Sequence, residues 1–263
     1  MIKLSIVKFS VLSYYPSFIT NENINIGILF ELPEVKDAFF YYTQKWDRIA
    51  SFDDELNLNF IKDYLRGISN EVSTNITNYQ KGFAIEEYIK FFVNEYKFSK
   101  IQLVDVDKPY DFIEQTKKVY LRFDFDKSER LTKTQEYNYI SKLLRVNNIA
   151  YKRDKIHGNY NEKIKFDYTI GDYAVKLFTF EGKNLSYLIS VAKLWAYNAW
   201  ELKDKYKTIF IYDKEMKDSE YFDIIINILN ENAYKIMLFN EGIDFLTSLK
   251  NSNNYMQNER LLL

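Results

Sequence analysis

The densest mix of charge and aromatic character lies in Tyr151-Lys152-Arg153-Asp154-Lys155-Ile156-His157-Gly158-Asn159-Tyr160. Lys152, Arg153 and Lys155 suit contacts with phosphates, and Tyr160 offers a ring on which a base can stack. A charged β-hairpin tip has the same composition, so this stretch reads equally as a solvated turn. His157 is the only histidine, so no histidine-based metal cluster can form, and it has no evident nucleophile to serve. Further along, Asp167 and the run Glu181-Gly182-Lys183 add two carboxylates and a lysine, with Glu136 upstream. Trp195, Tyr197 and Trp200 share one helical segment, where they read as core or interface residues.

Composition narrows the chemistry. The 263 residues include no cysteine, which removes disulfides, thiolate metal sites and cysteine nucleophiles and suits a reducing compartment. There is no Walker loop, no Gly-x-Gly-x-x-Gly, no His-Glu-x-x-His and no Gly-x-Ser-x-Gly, so nucleotide hydrolysis and serine esterase chemistry lack support. Hydrophobic residues at 47% and aromatics at 18% are ample for a packed core. With 7 Gly and 3 Pro, the turns must rest mainly on Asn and Asp. A formal charge of −1 gives no bulk field for nucleic acid, so any such surface is a local patch. The start alternates polar and apolar residues, and no apolar run reaches membrane-spanning length, so the expectation is a cytoplasmic protein without membrane contact.

These residues need elements to hold them. In the first half, residues 2–12 and Asn23–Phe30 alternate as strands, the former halted at Tyr15-Pro16 and the latter at Pro33. Val35–Tyr42 continues as a third strand. Asp53–Ile68 and Ile85–Tyr96 carry helical spacing, with Asp53 placed to cap. Ile101–Val106 and Lys118–Phe125 read as further strands. Tyr15-Pro16, Glu22 and Asn25-Ile26-Gly27-Ile28-Leu29 resemble the pattern of an uncharacterised bacterial family, DUF3037, which has a tyrosine-proline turn, then a glutamate and an asparagine-valine-glycine strand. The resemblance covers roughly residues 5–105 and departs at Asn21, where the family usually has an arginine. It implies no established activity. Asn25 and Gly27 are expected to fix a bulge or turn rather than to bind a ligand.

The polar run from Asp126 to Arg130 suggests a hinge, giving residues 1–125 as an α+β, DUF3037-like domain and 126–263 as a second domain. A helix over Leu131–Val146 is followed by Ile164–Ile170, a Gly171-Asp172 turn and Tyr173–Phe180. A long helix then spans Leu185–Tyr206, and the strands Thr208–Tyr212 and Lys235–Phe239 are interleaved with helices at Ser219–Asn230 and Gly242–Leu249. The tail Asn251–Leu263, polar and then Leu-Leu-Leu, is expected to fray or to dock on a partner. The fold class is therefore α/β, with a mixed sheet flanked by helices in the second half. That element order resembles the PD-(D/E)xK nucleases. The resemblance implies Asp167 and Glu181 as ligands of a Mg²⁺ and Lys183 as the group that stabilises charge on the phosphate, with Glu136 as an additional acid.

Hairpin register opposes that assignment. A two-residue turn pairs Ile170 with Tyr173, Thr169 with Ala174, Tyr168 with Val175 and Asp167 with Lys176. Glu181 then lies on the order of 16 Å beyond Asp167's partner, on the opposite face, at about 3.3 Å per residue. The expectation is an eroded site needing no cofactor, in a noncatalytic interaction protein that binds another protein or a nucleic acid. A phage or mobile-element origin and a role in defence or counter-defence follow only from the resemblance. An active Mg²⁺-dependent nuclease and a structural or oligomeric scaffold are the two alternatives.

Overall fold

In the computed structural model, which describes residues 4–17, 19, 22–78, 83–180, 183–213 and 220–249, the alternating segments at the start form an antiparallel meander. Its strands are β1 (Ser5–Tyr14), β2 (Ile24–Leu32) and β3 (Asp37–Tyr42). Glu181 and the tail Asn251–Leu263 lie outside the described residues. The chain divides into two compact units, Met1–Val146 and Asn147–Leu263, the first α+β with an antiparallel sheet and the second α/β with a mixed sheet.

In the first unit, β3 is followed by α1 (Trp46–Phe52), α2 (Leu58–Asn78) and α3 (Ile85–Tyr88), the last extended by a 3-10 turn. Then come β4 (Tyr96–Phe98), β5 (Gln102–Val106) and α4 (Pro109–Tyr120). A 3-10 turn at Arg122–Asp124 and α5 (Lys133–Val146) complete it. The sheet runs β3-β2-β1, with β4 and β5 sharing the far edge of β1: β5 pairs with Ser5–Phe9 and β4 with Leu12–Tyr14, both antiparallel. One face, with Leu12, Ile26 and Leu29, packs on Ile61, Leu65 and Ile68 of α2. On the other face Phe9 lies 5.9 Å from Phe112 and 5.8 Å from Tyr120, ring centre to ring centre. The result is a sheet between two helical layers.

The helix expected over Ile85–Tyr96 gives way after Phe91, and Tyr96 begins β4; three further details differ from expectation, each for a physical reason. Lys118–Phe125 is not a strand but the end of α4 and the 3-10 turn. Pro109 starts that helix, where its missing N–H costs nothing, and Phe112, Ile113, Thr116 and Tyr120 then fall on one buried stripe. Asp53 does not cap α2. Its Oδ2 accepts the Tyr14 hydroxyl at 2.5 Å, and the Asn57 Oδ1 accepts the amides of Asn59 and Phe60 at 3.1 and 3.2 Å instead. The division between units falls after Val146 rather than near 126, because α5 packs inward on the first unit. Tyr139 stacks on Phe112 at 5.7 Å and shares a hydrogen bond with Thr116, and Arg122 meets Glu136 at 2.5 Å.

The second unit contains the small hairpin β6 (Ile156–His157) and β7 (Lys163–Ile164), then β8 (Tyr168–Ile170), β9 (Tyr173–Phe178) and α6 (Leu185–Leu202). β10 (Lys207–Tyr212), α7 (Glu220–Asn230), β11 (Lys235–Leu238) and α8 (Phe239–Ser248) follow. Its four-stranded sheet has the order β11-β10-β9-β8, with β8 antiparallel to β9 and the other pairs parallel. The crossover helices α6 and α7 pack on each other over Phe178, Phe210 and Phe222. The opposite face meets α8, where Tyr173 lies edge-on to Phe245 at 5.6 Å and Ile211 fills the space beside Gly242.

Two glycines allow a direct check. A Cβ on Gly27, inside β2, would stand 2.5 Å from the Phe40 ring, whereas one on Gly67, exposed on α2, would meet nothing within 4 Å. Gly27→Ala is expected to cost about 1–3 kcal/mol, and Gly67→Ala to stabilise by about 0.5–1 kcal/mol. Urea unfolding midpoints should therefore move in opposite directions.

Candidate functional site

The turn at Gly171 closes the β8–β9 hairpin with a positive φ of 55°, which glycine adopts without strain. The register is Ile170 with Tyr173, Thr169 with Ala174 and Tyr168 with Val175, as the two-residue turn requires. Beyond it, the Asp167 amide donates to the Val175 carbonyl at 2.9 Å although Val175 is the partner of Tyr168, a local two-against-one arrangement. The Asp167 Oδ2 accepts the Leu177 amide at 2.8 Å and lies 3.0 Å from the Lys176 Nζ. Both side chains are largely buried, at 12% and 20% exposure. The Lys176 ammonium also sits 4.7 Å from the ring centre of Trp195, which packs edge-on against Phe166 at 5.1 Å. Asp167 is thus a structural anchor that joins two strands and orients a lysine under α6.

The other nuclease-type residues do not gather around it among the described residues. Glu181 lies outside them. Lys183 is exposed, its amide donating to the Phe180 carbonyl at 3.2 Å just before Asn184 caps α6. Glu136 belongs to the first unit, paired with Arg122. No group of three metal-ligating acids or histidines occurs among the described residues, and the Asp167 oxygen that faces Lys176 is committed to protein donors. Asp213, which no motif or spacing singles out, accepts the Phe180 amide at 2.9 Å from the end of β10.

The basic stretch divides in two. Lys152 exchanges both backbone hydrogen bonds with Thr169, at 2.9 and 2.8 Å, which pins it to the β8 edge. Arg153 lies 5.5 Å from the Tyr168 ring centre. Lys152, Arg153 and Lys155 are all exposed. Ile156 pairs with Ile164, which sets Lys155 and the exposed Lys165 beyond the same rung; Lys163 is exposed beside His157.

Tyr160, 81% exposed, goes elsewhere. The neighbouring Asn159 amide donates to the buried Glu201 carboxylate of α6, and the Tyr160 phenol lies near that of Tyr197. Desolvation, then the Tyr160 phenol and the Glu201 and Glu162 carboxylates, raise the Tyr197 phenol above its ordinary value. Carboxylates therefore flank this ring pair, which makes it a poorer place for a phosphate than the β8 edge. His157 is held through Nδ1, 2.8 Å from Asn161 Oδ1.

A family model described as a protein of unknown function, DUF3037, matches residues 9–104. The match begins at Phe9 within β1 and runs through β2, β3 and β4 into β5, and it supports the N-terminal region as DUF3037-like. No curated protein and no solved structure matches the chain.

The ion pair gives a stability test. Asp167→Asn should cost about 1–3 kcal/mol by leaving the Lys176 ammonium under-compensated. Adding Lys176→Met should recover part of that loss, so the double variant is less destabilised than the sum of the singles in urea unfolding. Strict additivity would mean that the pair is not coupled.

Proposed function

We propose that the protein acts by binding rather than by catalysis, as an interaction module whose C-terminal unit contacts nucleic acid through the exposed edge formed by Lys152, Arg153 and Lys155. The observation that carries the noncatalytic part is the engagement of Asp167 by Lys176 and the Leu177 amide, because a carboxylate neutralised by a lysine is a poor ligand for a divalent cation. The nucleic-acid part rests on three exposed cations, of which Lys152 is held to the β8 edge by its backbone, with Lys163 and Lys165 extending the same charge. Phosphate contacts position a protein without reading sequence, so this surface favours sequence-independent contact. A protein partner is the other class of ligand for such a module. A setting in phage or mobile-element defence rests on the resemblance to degenerate nuclease domains alone.

The test uses purified protein with single- and double-stranded DNA and RNA, in Mg²⁺ or Mn²⁺ against EDTA. No metal-dependent cleavage is expected. Fluorescence anisotropy should show salt-dependent binding, and changing Lys152, Arg153 and Lys155 together to Ala should reduce the slope of log K against log salt by roughly 2–3, at 0.7–0.9 per phosphate contact. Cleavage abolished by both Asp167→Ala and Glu181→Ala would make the protein a nuclease. An unchanged slope in the triple variant would remove the β8 edge from the reading.

A further inference from the structure

A second site lies in the N-terminal unit and shares no residue with the surfaces above. Lys45, Asp47, Arg48 and Phe123 line a cavity of about 480 Å³ between the start of α1 and the 3-10 turn at Arg122–Asp124. Arg48 is its unusual member. Its Nη1 is buried and has no hydrogen-bond partner among the described residues, a rare condition for a cation, since an unpaired buried charge is costly.

The neighbours do not relieve it. The guanidinium lies 5.1 Å from the centre of the Phe123 ring, and the Arg130 guanidinium lies at the same distance from that ring, so two like charges share one aromatic. The carboxylate that acts on Arg48 is Asp124, and both of its oxygens are engaged: Oδ1 accepts the Thr43 hydroxyl at 2.7 Å and Oδ2 the Gln44 amide at 2.9 Å. Burial accordingly pushes the Arg48 guanidinium below its usual range, and Asp124 opposes this through space. Lys45 and Asp47 are exposed on the cavity's rim. α1 has only seven residues, so the attraction for an anion comes from these side chains and not from the helix.

We infer that this cavity binds a phosphate group, with Arg48 as its principal cation and Lys45 at the rim. A phosphate oxygen supplies the acceptor that Arg48 lacks, and guanidinium–phosphate pairs are among the stronger charge-assisted hydrogen bonds. Free phosphate and the phosphate of a nucleotide share this chemistry and differ in whether a base accompanies it.

Isothermal titration of the full chain with inorganic phosphate, and separately with adenosine monophosphate, tests the assignment. Binding is expected, weakened by roughly tenfold or more in Arg48→Met, as loss of a charge-assisted pair requires. Arg48→Met removes an unpaired buried charge while keeping a long side chain, so its thermal midpoint should stay level or rise, which separates loss of binding from loss of fold. Arg130→Met provides a second variant, with a smaller loss. Tighter binding of the nucleotide than of phosphate identifies a nucleotide as the source, and equal affinities identify the free anion; either supports the site. No binding of either compound at millimolar concentration, or equal binding by wild type and Arg48→Met, would overturn it.

Discussion

The N-terminal sheet depends on a single extra residue in β2. Leu12 pairs with Gly27 and Ser13 with Asn25, so Ile26 is left between two rungs as a bulge, and its carbonyl accepts the Thr43 amide at 2.9 Å. A bulge shifts the alternation of one strand by a residue and sharpens its twist. Here it leaves Gly27 facing the Phe40 ring, where any side chain would collide, and it lets Asn25 reach outward. The Asn25 side chain accepts the Ser13 hydroxyl at 2.9 Å and donates to the Tyr120 carbonyl at 3.1 Å, at the end of α4. One strand defect thereby sets the register on one face and ties a helix terminus on the other. The Asn-x-Gly segment that the DUF3037 match includes has a structural task that accounts for both residue types without any ligand.

The second unit is governed in the same way by one hairpin. Gly171 sets the turn, the turn sets the register as far as Tyr168, and the two-against-one step beyond it brings the Asp167 carboxylate to Lys176. Once the pair has formed, the lysine stem and ammonium are held beneath Trp195, and Phe166 closes the other side of the indole. The arrangement joins β8, β9 and α6 through one charged contact. Converting it into a metal site would require breaking that contact and supplying another donor for the Leu177 amide, two costs that a catalytic carboxylate open to solvent does not carry.

Much of this was legible in the sequence because the signals were local. Turn residues such as Pro33 and Gly171, and the alternation around them, placed β1, β2, β3, β8, β9 and β10 to within a few residues. The long apolar periodicities placed α5, α6, α7 and α8. The misreadings arose where local and tertiary signals conflict. Lys-Val-Tyr-Leu-Arg-Phe alternates like a strand, yet Tyr120 is buried only because a helix begun at Pro109 brings it round to Phe9. Asp53 looks like a cap but is taken by Tyr14, 39 residues away. Within the candidate sites, the Asp167–Lys176 ion pair was legible from the hairpin turn, but the two-against-one step at Asp167 was not. The turning of Tyr160 toward Tyr197, and the burial of Arg48 beside Phe123, depend on contacts between distant segments that no spacing encodes.

A broader constraint runs through both units. With 7 Gly and 3 Pro in 263 residues, the chain has few backbone devices for ending strands and helices, and carboxylates take over that work. Glu31, buried in β2, accepts the Ile85 amide that opens α3. Asp124 holds the approach to α1 through Thr43 and Gln44, Asp213 holds Phe180 where β9 ends, and Glu201 holds the tip of the β6–β7 hairpin. A hydrogen bond to a charged acceptor contributes about 1.5–3 kcal/mol, so these acids are structural members and cannot be released for catalysis without loss of local order. The 37 acidic residues therefore overstate the supply of metal ligands. The cations are less constrained: the side chains of Lys152, Lys155, Lys163 and Lys165 are exposed and meet no acid partner among the described residues. The proposed binding of an anionic surface without cleavage rests on this contrast between acids engaged internally and a basic edge left open.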